Sequence, residues 1–195
     1  MISQKAKNLK LLSKYLNKSN GTVPKFYVVK CSDYLKNKKK TLHIISKKFK
    51  KNIKLILRSA SNFEDTKNYS NAGKFSSKLS KNNINHLEKK MDGLCNSLSK
   101  KDQIIVQIFI DRPEYSGVIF TRDINDNSPY YTLNIDYSNR TDLVTSGRKN
   151  ISMKTYIIHR SLKYLNKKFS KLIKTIKEIE KIFQNEKIDI EFAYK

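Results

Sequence analysis

Near Lys100 the hydrophobic pattern of this chain shifts from mainly helical to mainly strand-like, and that shift limits the architectures open to it. Before it, apolar residues recur at helical spacing: Leu9, Leu12, Tyr15 and Leu16 early on, then Ile84, Leu87, Met91, Leu94, Cys95 and Leu98. Steps of three and four residues put such positions on one side of an α-helix, so amphipathic helices are predicted over residues 6–16 and 83–99. "TLHIISKKFKK" predicts another, while "KFYVV" and residues 53–57 read as strands. After Lys100, short runs rich in β-branched and aromatic residues take over: "QIIVQIFI", "YSGVIFTRD", "PYYTLNID", "KTYIIHR" and finally "KIDIEFAYK". One long helix interrupts them, with Phe169, Leu172, Ile173, Ile176, Ile179 and Phe183 on one face. The expected class is α/β (α+β): a first lobe over roughly residues 1–100 and a strand-rich second lobe over 101–195. The boundary falls near residues 100–102.

With 195 residues and 38% hydrophobic content, the chain can bury a substantial core. No apolar run is long enough to span a bilayer, and "MISQKAKNLK" leads into an amphipathic pattern rather than the apolar stretch of a signal peptide. Cys31 and Cys95 lack metal-type spacing and read as reduced thiols, which points to the cytoplasm; the three histidines are dispersed and form no metal motif. A net charge of +24 invites a nucleic-acid partner, yet the lysines are spread evenly and interleaved with asparagine. "KNKKK", "KKFKK" and "NKKFSK" read as solvated helix faces, which argues against that partner. Only six of the 41 basic residues are arginine: Arg58, Arg112, Arg122, Arg140, Arg148 and Arg160. Where lysine supplies charge by default, an arginine suggests that a planar bidentate donor is wanted.

The chain has no G-x-G-x-x-G, no phosphate-binding G-x-x-x-x-G-K-[ST], no nucleophile elbow, no H-E-x-x-H and no C-x-x-C. A site must therefore be assembled from separated pieces, and four stand out. Arg58-Ser59-Ala60-Ser61 with Glu64-Asp65 follows a strand; Arg58 is suited to clamp a phosphate, with the hydroxyls as added donors, or to pair with Glu64 or Asp65 and fix the loop. Ala72-Gly73-Lys74-Phe75 reads as a hinge bearing a cation, or as a plain turn. "SGVIFTRD" delivers Arg122 at a strand end, for a ligand or for an Arg–Asp pair. In Asp189-Ile190-Glu191, strand alternation puts both carboxylates on one face, as Mg²⁺ ligands or as two solvated acids.

Taken together, these pieces resemble the N-terminal nucleotide-binding region of the phosphoenolpyruvate synthase and pyruvate phosphate dikinase family, an ATP-grasp fold. "RSASNFED", "NAGKF", "SGVIFTRD", "LVTSG" and "DIEF" stand in that family's order, and "KAKNL" is similar to its lysine-bearing first helix. "YSNAGKFSS" and "SPYYTLNIDYSNRTDLVTSG" further resemble the ATP-grasp half of L-glutamine kinases, which make the phosphoramidate of bacterial capsules. The resemblance implies two lobes around a nucleotide cleft, with ATP and Mg²⁺ as cofactors. It assigns Lys5 and Arg58 to the phosphates, Gln107 and Arg122 to the neighbourhood of the nucleotide, and Asp189 and Glu191 to the metal.

The departures are as informative. The family's "LQxRP" strand would follow "DIEF", but the sequence stops at Lys195, and His43, His86 and His159 lie in no phosphohistidine context. Ile124 stands where a proline is usual after "TRD". The chain is accordingly expected to be an incomplete ATP-grasp domain: a fragment, a product cooperating with a second chain or further C-terminal domains, or a non-catalytic remnant. With few apolar residues, the loop over residues 61–74 is expected to be mobile until ligand orders it.

Overall fold

A computed structural model describes residues 2–61, 77–139, 152–162 and 167–195. The elements run α1 (Gln4–Tyr15), β1 (Phe26–Lys30), α2 (Cys31–Lys36), α3 (Lys38–Lys48), β2 (Lys54–Ala60), β3 (Ser77–Lys81) and α4 (Ile84–Cys95). They continue with β4 (Gln103–Ile108), β5 (Tyr115–Phe120), β6 (Tyr130–Asp136), β7 (Met153–His159), α5 (Lys167–Phe183) and β8 (Asp189–Tyr194). The protein is thus of the α+β class, with two antiparallel sheets ordered β1-β4-β2-β3 and β7-β6-β5-β8. Two contact units contain them: Met1–Leu11 with Val23–Phe109, and Leu12–Thr22 with Ile110–Lys195. The division falls after β4, later than the strand-grammar change near Lys100, because β4 lies between β1 and β2 and belongs to the first sheet. Among the described residues no helix is long and apolar enough to cross a membrane.

In the first unit, helices cover both faces of the sheet. Leu55, Leu57, Ile104, Val106 and Val29 pack against Tyr34 of α2, Leu42 and Ile45 of α3, and Leu87, Met91 and Leu94 of α4. On the opposite face Ala60 and Ile105 meet Ala6 of α1, flanked by Ile2, Leu9, Phe26 and Val28. The start of α1 is fastened by Gln103, whose Oε1 accepts from the Ser3 amide and hydroxyl, each at 3.0 Å. Asn82 is buried and donates through Nδ2 to the carbonyls of Ser46, Phe49 and Lys50 at 2.9–3.0 Å, supplying partners that the C-terminal end of α3 lacks within its own helix. Asn37 and Asn83 cap α3 and α4 by accepting from Lys40 N and Asn85 N. The asparagines of this lysine-rich chain therefore do local structural work at several helix ends.

Cys31 and Cys95, which their spacing leaves apart, meet in this core as free thiols. Hydrogen bonding to Cys95, reinforced by burial, pushes the Cys31 thiol well above its ordinary range. Two elements of this unit escape the sequence pattern. Six residues of α2 are too few to show a helical period, and β3, "SKLSK", is a polar edge strand with a single buried position, Ser80.

In the second unit α5 covers one face. Phe169, Ile173 and Ile176 pack on Tyr115, Ile119, Tyr131, Leu133 and Ile135, with Phe192 and Ile190 of β8 at the margin. The segment 12–22 is anchored to the same helix: Glu178 accepts from Asn17 N and Asn20 Nδ2 at 2.6 Å, and the Thr175 hydroxyl donates to the Asn20 carbonyl at 2.9 Å. Gly117 pairs with Ile135 on one side and Phe192 on the other, where β5 and β6 approach closely. A Cβ there would lie 2.2 Å from the Asn134 carbonyl oxygen and 3.1 Å from the Phe192 ring. The obstructing atom is main chain, so relief requires the strands to move. Gly117→Ala is therefore expected to cost about 2 kcal/mol or more, seen as a lower urea midpoint; an unchanged midpoint would show that this strand spacing does not depend on glycine.

Candidate functional site

The residues singled out by the sequence fall into two groups, one in each unit. In the first, Lys5, Arg58 and Gln107 belong to the α1-covered side of the sheet. Arg58 pairs in register with Ile105 and Ser77, and Gln107 with Ile56 and Phe26. Strand alternation sets Arg58, Ile105 and Gln107 on the face opposite Leu57 and Val106. Lys5 occupies the stripe of α1 that carries Ala6 and Leu9, which with the preceding Ile2 pack on that same face. Two details differ from expectation. Arg58 does not stand at the loop mouth but inside β2, which continues to Ala60, because Ser59 and Ala60 still pair with Ile104 and Gln103. For the same reason the Ser59 hydroxyl is on the other face of the sheet and cannot join Arg58 at a common ligand. Gln107 is buried and donates through Nε2 to the Pro24 carbonyl at 3.2 Å, so one of its amide hydrogens is already used. Glu64, Asp65 and the Ala72–Gly73–Lys74–Phe75 segment lie outside the described residues, as do residues 62–74 of the segment expected to be mobile and "LVTSG".

In the second unit, β8 carries Asp189 and Glu191 on the face turned away from α5, both exposed, whereas Ile190 and Phe192 point to the core. Register aligns Asp189 with Phe120 and Glu191 with Val118 of β5; Val118 in turn pairs with Asn134 of β6, whose Oδ1 accepts from Thr155 at 2.8 Å. The carboxylates thus stand along one row-forming sheet face with mixed apolar and polar neighbours.

Arg122 lies two residues beyond the end of β5. It hydrogen-bonds Glu186, forming an ion pair, and its Nη1 donates to the Asn127 carbonyl at 3.4 Å. Its partner is not Asp123, whose carboxylate accepts from the amides of Asn125 and Asp126 within their turn. Arg160, which the sequence pattern did not single out, is the most embedded part of this region. It binds Glu180 through both terminal nitrogens at 2.5 and 3.1 Å, donates to the Thr121 carbonyl at 2.8 Å and lies 4.7 Å over the Tyr131 ring. Tyr131 donates to Glu180 at 3.3 Å, and burial, then the Glu180 charge, pushes its hydroxyl up to about 12, so it remains a neutral donor. Thr121 completes the junction: its hydroxyl donates to the Glu186 carbonyl at 2.6 Å and accepts from Ile188 N at 2.9 Å, with the Ile188 carbonyl 3.1 Å away as an alternative acceptor. These bonds fix the turn from α5 into β8 and hence the start of the strand that bears Asp189 and Glu191. The only sequence signal for Arg160 was the scarcity of arginine.

The chemistry of these groups fits the cofactors that the motifs imply. Lys5 and Arg58 are cations of the kind that hold phosphates. Asp189 and Glu191 offer hard oxygen donors, and their exposure leaves room for the waters that Mg²⁺ retains. Among the described residues no group of three or more His, Cys, Asp or Glu converges. No protein-family model matches the chain, and no characterised protein matches it significantly.

Glu180 is 7% exposed and Arg160 15%, so removing one charge leaves the other buried. Glu180→Gln is expected to destabilise the protein by about 3 kcal/mol, measured by chemical denaturation. A loss below about 1 kcal/mol, the range of exposed pairs, would show that this ion pair is not a structural anchor.

Proposed function

We propose that the chain is the ATP-binding part of a phosphoenolpyruvate-synthase-like phosphotransferase, an ATP-grasp domain working in the cytoplasm. What supports the reading is the set of motifs together with where their residues lie within each unit. Residues scattered over the sequence, Lys5, Arg58 and Gln107, come to one face of the first sheet, and Asp189 with Glu191 to one face of the second strand system. In this reading Lys5 and Arg58 hold the phosphates of ATP, Gln107 lies beside the nucleotide, and Arg122 contributes at the end of the motif strand. Asp189 and Glu191 would hold Mg²⁺, which neutralises charge on the phosphates during transfer.

The narrower likeness to glutamine kinases suggests a side-chain amide as the final acceptor. Acceptor binding and a phosphohistidine would come from a second chain or from further C-terminal domains.

Calorimetry of ATP binding, with and without Mg²⁺, tests the reading. Wild-type protein is expected to bind ATP in a Mg²⁺-dependent way, and Asp189→Asn to weaken Mg-ATP at least about ten-fold. The fold should survive, because Asp189 is exposed and outside the core clusters. Binding that ignores both the metal and the substitution would remove Asp189 and Glu191 from the site, and absence of any binding would refute the ATP-binding assignment.

A further inference from the structure

Two of the chain's six arginines, Arg122 and Arg160, converge on one carboxylate, that of Glu186. The convergence is unusual for a molecule that otherwise carries its charge on lysine. Arg122 donates to Glu186 Oε2, and Arg160 Nη2 lies 3.5 Å from Oε1, so the carboxylate sits between two guanidinium groups. The two arginines are held differently. Arg160 is fixed by Glu180, the Thr121 carbonyl and the Tyr131 ring. Arg122 has, besides Glu186, only a 3.4 Å bond to the Asn127 carbonyl among its described contacts. Glu186 is 59% exposed, whereas Arg122 and Arg160 are 25% and 15% exposed. The acid can leave toward solvent; the cations cannot follow as far.

We propose that Arg122 and Arg160 form a subsite for a phosphate-bearing anion, and that Glu186 is an internal stand-in which this anion displaces.

A carboxylate and a phosphate present similar oxygen geometry to a guanidinium, but phosphate carries more charge and more acceptors. The pair of arginines is balanced at rest by Glu180 and Glu186. Exchange of Glu186 for a dianion therefore leaves no buried cation unmatched. The Arg122 hydrogen bond, followed by the Arg160 charge, holds the Glu186 carboxyl below its ordinary range, which shows that the locality favours negative charge. The nearby carboxylates of Asp123 and Asp126 accept from amides of their own turn, Asp126 from Ser128 N at 2.8 Å, and are not partners of either arginine in the ion pairs seen here. Departure of the side chain would not undo the turn, because the Glu186 main-chain carbonyl, not its carboxylate, accepts the Thr121 hydroxyl. The inference rests on the nucleotide reading for the source of the anion but not for the subsite itself.

Inorganic pyrophosphate without metal, titrated by calorimetry at about 150 mM salt to suppress diffuse attraction, tests it. Glu186→Gln is expected to bind pyrophosphate about five-fold more tightly than wild type, and Arg122→Gln to lose the binding. If Glu186 merely fastens the loop, Glu186→Gln binds more weakly or the same, and the proposal is overturned. It is equally overturned if Arg122→Gln binds as wild type does, or if no variant binds. Circular dichroism of each variant confirms that the fold is retained; should Arg122→Gln unfold, Arg122→Lys, which keeps the charge but loses the fork, must still show weaker binding. Parallel ATP titrations separate a nucleotide from a free polyphosphate. Tightening toward pyrophosphate with no Mg-ATP binding would refute the nucleotide reading and leave the subsite standing.

Discussion

Strand alternation combined with one-sided or two-sided helix cover governs where every polar group of interest can go. In the first unit β4 is covered on both faces, so its residues divide between two cores: Ile104 and Val106 toward α3 and α4, Ile105 toward α1. The polar members of the strand must then find partners inside, and Gln103 does so by holding Ser3 at the start of α1. The same alternation assigns Arg58 and Gln107 to the α1 side and excludes Ser59 from it. A shift of one residue in β2 would bury a guanidinium in the main core, a cost that fixes the register.

In the second unit helix α5 covers only one face, and the opposite face keeps its acids in water. The consequence is a division of labour along β8: Ile190 and Phe192 secure the strand to the core, and Asp189 and Glu191 are exposed on the other face. What sets the height of that strand is the junction at Thr121, where main-chain and hydroxyl bonds tie the end of β5 to residues 186–188. The Arg160–Glu180 pair is the buried electrostatic element beneath this junction. Its geometry, bidentate and capped by an aromatic ring, satisfies both charges and makes it an anchor rather than a defect. Arg122 and Glu186, nearer the solvent, can exchange partners at far smaller cost. A rigid pair supporting a labile one is the arrangement an anion site requires, because the fixed cation preserves the geometry while the mobile carboxylate yields.

Net charge turns out to say little about any of this. Most lysines decorate exposed faces, and asparagine works at caps and turns: Asn37, Asn83 and Asn82 satisfy backbone groups of α3 and α4. The informative charges are the few arginines and the acids that meet them. Scarcity is a useful signal, but it identifies only the residue type; it could not say that Arg122 would meet Glu186, or that Arg160 would be the buried member, since those contacts join residues 20 to 64 positions apart.

By itself the sequence determined the α+β class, the amphipathic helices α4 and α5, most strands, and the shared face of Asp189 and Glu191. These are local properties, set by periods of two and 3.6 residues that neighbouring side chains express directly. Tertiary structure alone decided the rest. It drew β4 into the first unit, because strand pairing between distant segments outweighs the change of pattern at Lys100. It formed β3 from a polar segment that only its pairing with β2 makes a strand, and brought Cys31 beside Cys95 within one core. It also gave Arg122 to Glu186 instead of Asp123, because the turn amides of Asn125 and Asp126 claim the nearer carboxylate while the α5–β8 turn, pinned by Thr121, presents the farther one.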